Sequence, residues 1–388
     1  MKSSSFDVAI VGTGIPGLAA ALGFAQQGLA VAVIGPAVKP HSPTRAAPFD
    51  SRIYAIAAAS IALLERLGVW ASVDLQRVCP VERMRVFGDQ GDELTFEAYG
   101  ATVERLATII EEAQLLRLLD AACRFQPAIK RIESSFVSAV ADTSAQISLE
   151  NGASISARLL IGADGANSSV RAAAGISASM RAYLQSAVVA NFGCAKPHSN
   201  TAWQWFTDEG VVALLPLPGD RVSLVWSAPT ELADQLVALG AEQLAERVGQ
   251  RCDAMGRLTA AGIAQSFPLR LLSVARLIAA HVALIGDAAH VVHPLAGQGL
   301  NLGLQDVAML LDVVGSRETF RDIGDTVLLR RYERGRAESI GLMRFATDSL
   351  NHLFSLDDPL ARRLRNAGLA AVNRISPLKN ALIRQALG

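Results

Sequence analysis

No charged residue occurs between Asp7 and Lys39. A run of that length is a membrane span, a signal peptide or a segment buried in a protein core. Gly12, Gly14, Pro16, Gly17, Gln26, Gln27 and Gly28 cut it into pieces too short to span a bilayer, which favours burial. The pieces read as a strand from Phe6 to Val11, a helix from Pro16 to Gln27 stopped by Gly28, and a strand from Ala30 to Ile34. An uncharged strand–helix–strand unit is the start of a parallel sheet covered on both faces. With 388 residues, of which 51% are hydrophobic, the chain is long and apolar enough for more than one lobe.

The turn inside this unit is Gly12-x-Gly14-x-x-Gly17. The first glycine of such a turn permits the sharp bend, the second lets a pyrophosphate approach the backbone, and the third lets helix and strand pack closely. The helix then offers free N–H groups and the positive end of its dipole to the phosphates. The expected partner is an acidic residue about 20 positions on, which bonds the adenosine ribose. Here the second strand runs into Gly35-Pro36, and no carboxylate appears until Asp50. The adenosine end is therefore held more weakly, or held from elsewhere, or the chain has lost its ligand.

Two further glycine–aspartate segments follow. Ile161-Gly162-Ala163-Asp164-Gly165 leads through Asn167, Ser168 and Ser169 into a helix, with those residues as caps. By itself it reads as an ordinary Asp-Gly turn. Ile285-Gly286-Asp287-Ala288-Ala289-His290 ends a buried strand and continues through Pro294, Gly297-Gln298-Gly299 and Leu300-Asn301 to Asp306. Asp287 thus stands at the carboxyl end of a strand, where ligands bind in open α/β sheets. His290 and His293 lack a third ligand at suitable spacing, so no metal site is expected. Between these segments, Gln146–Leu149 and Ser154–Leu160 read as a hairpin. Val188–Phe192, Val211–Leu215 and Arg221–Trp226 form a β-rich block, and residues from Leu232 to Arg251 read as helical.

Together the three segments resemble the FAD-dependent aromatic hydroxylases, the p-hydroxybenzoate hydroxylase-like monooxygenases. Phe49-Asp50-Ser51-Arg52-Ile53, Leu67-Gly68-Val69-Trp70, Gly210–Leu217 and Asp348-Ser349-Leu350 are similar to the ubiquinone-biosynthesis hydroxylases of the UbiH/UbiI/UbiF group. Trp203-x-Trp205 is followed by Phe206-Thr207 rather than the Ile-Pro of flavin halogenases, so those two rings are expected in an aromatic wall or core.

The resemblance implies an α/β fold with a discontinuous Rossmann-like FAD-binding domain, an inserted β-rich substrate domain and a helical C-terminus. Residues 1–78, 106–180 and 276–345 would form the FAD domain, 79–105 and 181–275 the substrate domain, and 346–388 the tail. FAD would lie against Gly12, Gly14, Ile15, Pro16 and Gly17, with Arg52 near the flavin. Asp164 would serve flavin binding and the reaction with reduced nicotinamide, and Asp287 would bond the ribityl chain. Gly297, Gln298, Gly299, Leu300 and Asn301 would wrap the flavin ring, with Pro294 beside the substrate as the one catalytic assignment. Relatives often place a polar cofactor contact near Glu111–Gln114, which Ala113 and Gln114 leave open. The implied reaction uses NAD(P)H and O2 to hydroxylate a polyprenyl phenol. No second Gly-x-Gly-x-x-Gly exists for the nicotinamide, as in this family. A soluble phenol as substrate, a flavin reductase or oxidase activity on the same fold, and a non-catalytic scaffold role in a ubiquinone-biosynthesis complex stay open.

From Pro359 to Gly388 there are six basic residues and no acidic ones. A basic amphipathic tail fits an anionic membrane face, and equally a solvated helix on its own domain. Zero net charge gives no sign of a nucleic-acid partner. Four scattered cysteines fit reduced thiols in the cytoplasm. The resemblance, with its polyprenyl substrate, and the basic tail together imply peripheral contact at the inner membrane. Self-association stays open.

Overall fold

The structure, a computed structural model, describes residues 4–38, 48–88, 93–292 and 299–355. The uncharged opening segment folds as strand Ser4–Val11, helix Ile15–Gln26 and strand Val31–Ile34. Both strands lie in the middle of an eight-stranded sheet. Helix Ile15–Gln26 is buried almost all round, because the sheet covers one side and helices Glu112–Arg124 and Gly299–Gly315 cover the rest. A charge anywhere along it would lose its water without gaining a partner, which accounts for the composition.

Five strands of this sheet run parallel, in the order Val282–Leu284, Ser154–Gly162, Ser4–Val11, Val31–Ile34, Ile129–Ile132. They end level with one another, since Leu284 pairs with Gly162, Gly162 with Val11, Val11 with Ile34 and Ile34 with Ile132. The residues just beyond this row form the carboxyl edge: the Asp287 turn, Ala163-Asp164, Gly12, Gly35 and Glu133. The expected hairpin is present as Ala145–Leu149 against Ser154–Gly162, and Phe136–Ala141 extends it.

The β-rich block forms a nine-stranded sheet. Its centre is Gln265–Val274, Ala178–Cys194, Arg221–Pro229, Gly210–Leu217 and Thr201–Thr207, and Arg83–Phe87 and Glu93–Glu97 close one edge. Alternate residues such as Phe192, Leu214, Leu224 and Trp226 form a second core, separate from that of the parallel sheet. Helices Thr230–Ala238 and Ala241–Gly249 bury Leu236 and Leu244 in that core. Trp203 and Trp205 stack with Phe87 at 5.6–6.2 Å between centroids and belong to this side.

A third sheet was not foreseen. Cys79–Val81, read from sequence as the start of the substrate sheet, pairs with Ala107–Glu111, which also pairs with Ile53–Ile56. Its apolar residues pack with Ala202 and Leu217 of the large sheet, so it joins the two main layers. Helix Thr326–Ser355 closes the parallel sheet, with Tyr332 donating from its hydroxyl to the Leu284 carbonyl at 2.7 Å.

Candidate active site

The glycine turn fits its sequence pattern by steric necessity. Gly12 has φ +121°, and a Cβ there would stand 2.1 Å from the Ala163 carbonyl oxygen. A Cβ on Gly17 would stand 2.3 Å from the Gly12 carbonyl oxygen. Gly14 differs, since its Cβ would meet nothing within 4 Å. Gly14 caps helix Ile15–Gln26 with no side-chain hydrogen bond, and the first turn holds no acidic residue. The helix therefore presents its positive end to open space, as a phosphate cradle requires. Ile15 is buried, and Pro16 reaches the Asp287 turn: a Cβ on Gly286 or Gly303 would touch its ring at 3.2–3.3 Å.

Asp287 sits in the short turn Gly286–Ala288 at the end of its strand. The residue is exposed, yet enough protein surrounds its carboxyl for desolvation to raise it above the usual range. His290 and Arg52 oppose that rise and Glu112 adds to it. No described group donates a hydrogen bond to the Asp287 carboxylate.

Beneath the turn lies a fully buried carboxylate, Asp306. It accepts from the Gly286 N–H at 2.9 Å, pairs with His290 Nε2 at 2.6 Å and accepts from Arg336 Nε at 2.7 Å. Burial alone would raise this acid, but the charges of His290 and Arg336 prevail and hold it below the ordinary carboxylate range. His290 is thus committed to supporting the turn. Asp306 was visible in sequence only as the end of a motif, and Arg336, 30 positions on, carried no signal.

Asp164 supports its own loop. Its carboxylate accepts from the Ser168 hydroxyl and from the N–H groups of Ser169 at 2.7 Å and Val170 at 3.1 Å. This is the capping role of an ordinary Asp-Gly turn. The connection to Asp287 comes from Arg171, a buried residue that donates to the Ala166 carbonyl and to the Ala288 carbonyl, each at 2.9 Å. It ties the second glycine–aspartate segment to the third.

Arg52 lies near enough to Asp287 for their charges to interact. Its guanidinium meets Glu112 at 3.2 Å and lies 4.9 Å over the Phe267 ring of the large sheet. Tyr54 donates to the same Glu112 carboxylate at 3.0 Å. Burial first, then the Glu112 charge, push the Tyr54 phenol well above its ordinary value, so it remains a neutral donor. Glu112 is thus committed to Arg52 and Tyr54, and Gln114 accepts from the Asp74 N–H at 2.6 Å. The segment leading to Arg52 is anchored from both lobes. Buried Arg77 and Glu111 pair at 2.7 Å, Glu111 accepts from the Asp50 N–H, and Asn191 donates to the Phe49 and Asp50 carbonyls.

Helix Gly299–Gly315 begins beside these groups. The Asn301 amide accepts from the Ala57 N–H at 2.9 Å and donates to the Ala55 carbonyl at 2.8 Å, fixing the helix start to strand Ile53–Ile56. Gly299 and Leu300 are partly buried at that start. Pro294, Gly297, Gln298 and His293 lie outside the described residues, as does the tail from 356 onward.

The dinucleotide geometry agrees with a family model described as FAD binding domain, which matches residues 5–342. The chain belongs to the FAD binding domain family. Within it, the chain is 35% identical to the 3-demethoxyubiquinol 3-hydroxylase of Escherichia coli (strain K12), with 100% of each chain covered. It is also 35% identical to the ubiquinone hydroxylase UbiL of Rhodospirillum rubrum, over 98% of this chain and 89% of that one. Among solved structures, pqsL, a probable FAD-dependent monooxygenase from Pseudomonas aeruginosa, matches with TM-score 0.77 and 25% identity over 95% of this chain and 100% of that one. The p-nitrophenol 4-monooxygenase PnpA from Pseudomonas putida DLL-E4 has TM-score 0.80 over 99% of both chains and, at 18% identity, shares the fold alone.

Proposed function

We propose that this chain is an FAD-dependent monooxygenase that hydroxylates the aromatic ring of a polyprenylated ubiquinone precursor, using NAD(P)H and O2. The observation that carries the proposal is the carboxyl edge of the parallel sheet. There the helix start at Gly14, without a side-chain cap, and the Asp287 carboxylate, with no hydrogen-bond donor among the described residues, are brought together by Pro16, which lies against Gly286. FAD has a pyrophosphate for the first and ribityl hydroxyls for the second. The residue assignments follow: Gly12, Gly14, Ile15, Pro16 and Gly17 hold the pyrophosphate, and Asp287 accepts from the ribityl chain. Arg52 lies near the flavin, and Gly299, Leu300 and Asn301 present the helix start to the flavin ring. Asp164 acts through its loop, which Arg171 locks to the Asp287 turn. Pro294, Gly297 and Gln298 complete the assignment from sequence alone.

Bound flavin supplies the redox chemistry, taking a hydride from NAD(P)H and reacting with O2. The protein orients the ring and keeps water out. The start of helix Gly299–Gly315 would favour negative charge on a flavin held beside it. The face of the large sheet opposite its second core offers Val189, Ala213 and Val225, small apolar side chains against which an aromatic ring can lie. The basic composition of residues 359–388 supports contact with an anionic membrane, where a polyprenyl substrate resides. Among the described residues no helix is long and apolar enough to cross a membrane.

The test is to express the chain in a hydroxylase-deficient strain and profile its quinones under isotopically heavy O2. The proposal expects restored ubiquinone carrying one heavy oxygen atom at the repaired ring position. An unchanged profile, with a soluble phenol hydroxylated by the purified protein, would instead establish the soluble-substrate reading.

A further inference from the structure

The second strand of the dinucleotide unit ends in Gly35, which has no side chain to offer an adenosine ribose. It cannot readily acquire one. Gly35 has φ +152°, and a Cβ there would press on Thr13 Cγ2 at 3.0 Å. Its N–H is bonded to the Ile132 carbonyl at 3.2 Å, so the neighbouring strand ends alongside it. The next residue of that neighbour is Glu133.

The level ends of the five parallel strands make the placement informative. In spatial order the carboxyl edge reads Asp287, Asp164, Gly12, Gly35, Glu133. Asp164 is consumed by its own loop. Asp287 and Glu133 are left, two strands to either side of the Gly12 turn, or about 10 Å each way at the usual strand spacing. Glu133 is exposed, and no described residue pairs with it. Asp120 is already engaged, pairing with both Arg131 and Arg124, while Lys130 on the same strand is exposed.

We infer that Glu133 supplies the carboxylate that Gly35 lacks and accepts hydrogen bonds from the adenosine ribose hydroxyls of FAD. With the pyrophosphate at Gly14 and the flavin half toward Asp287, the adenosine half extends over Gly35 toward Glu133. The missing side chain at Gly35 leaves the path open. The inference rests on the proposed FAD site and adds the residue that distinguishes FAD from a mononucleotide.

The test is a titration of Glu133→Gln and Glu133→Ala protein with FAD and, separately, with FMN, following flavin fluorescence. A charge-assisted hydrogen bond corresponds to about a tenfold change in binding. Both variants should bind FAD about tenfold more weakly than the parent, with FMN affinity and melting temperature unchanged. Parent-like FAD affinity in both variants would overturn the inference while leaving the FAD site intact. An equal loss of FMN affinity would also overturn it, showing a general disturbance of the site. Failure of the parent itself to bind FAD would overturn both the inference and the function it rests on.

Discussion

Residues that cannot change explain more of this site than residues that can react. At Gly12 any side chain collides with the Ala163 carbonyl and the backbone is left-handed, so Gly12→Ala should cost stability and abolish flavin retention together. Circular dichroism melting alongside flavin absorbance checks this, and retention of flavin by the variant would contradict it. Asp306 gives a pH signature. Its folded carboxyl lies below the ordinary value, so its stabilisation is present above the unfolded value of about 4 and is lost as pH falls through the folded value. Asp306→Asn leaves Arg336 buried without its charge partner and should cost about 3–5 kcal/mol at neutral pH. Acid unfolding should then be less steep in the variant than in the parent, as measured by denaturant titrations across pH. The glycines were legible because steric demands act within a few residues of chain. The Asp306–Arg336 pair was not, because it joins two helices whose meeting depends on the whole fold.

At the level of elements, the parallel unit was legible to within two residues, since a segment buried on both faces writes its burial directly into composition. The hairpin of Gln146–Leu149 and Ser154–Leu160 was likewise legible from its two strands. The third sheet was not, because strands as short as Cys79–Val81 have too few residues to show a period, and their partners lie far along the chain. Long-range ties hold these elements in place. Asn301→Ala strands the Ala57 N–H and Ala55 carbonyl without partners and should cost ~2–4 kcal/mol, read from chemical denaturation. Arg171→Met frees the Asp287 turn from the Asp164 loop. It should weaken FAD binding about tenfold, a loss visible in a fluorescence titration.

The whole molecule is two layers with separate cores, joined by a small third sheet and by the anchored segment before Arg52. Such an arrangement would couple flavin to stability, because the proposed cofactor site draws on segments from residue 12 to residue 301 that meet only in the folded state. FAD at a hundredfold excess over its Kd should raise stability by about 3 kcal/mol. Thermal melts with and without FAD read this gain, and FMN should give less of it. The interleaving of the layers was foreseen from the order of the motifs. The absence of a ribose acid at Gly35 left three outcomes open, among them a chain without cofactor. The measurement that bears most directly on the account is the visible absorption spectrum of the purified, desalted protein, before and after incubation with FAD. The account predicts a yellow protein that keeps about one flavin per chain through desalting, as an intact dinucleotide site requires. A colourless protein that takes up no added FAD would contradict it, and would leave the site between Gly14 and Asp287 without its proposed occupant.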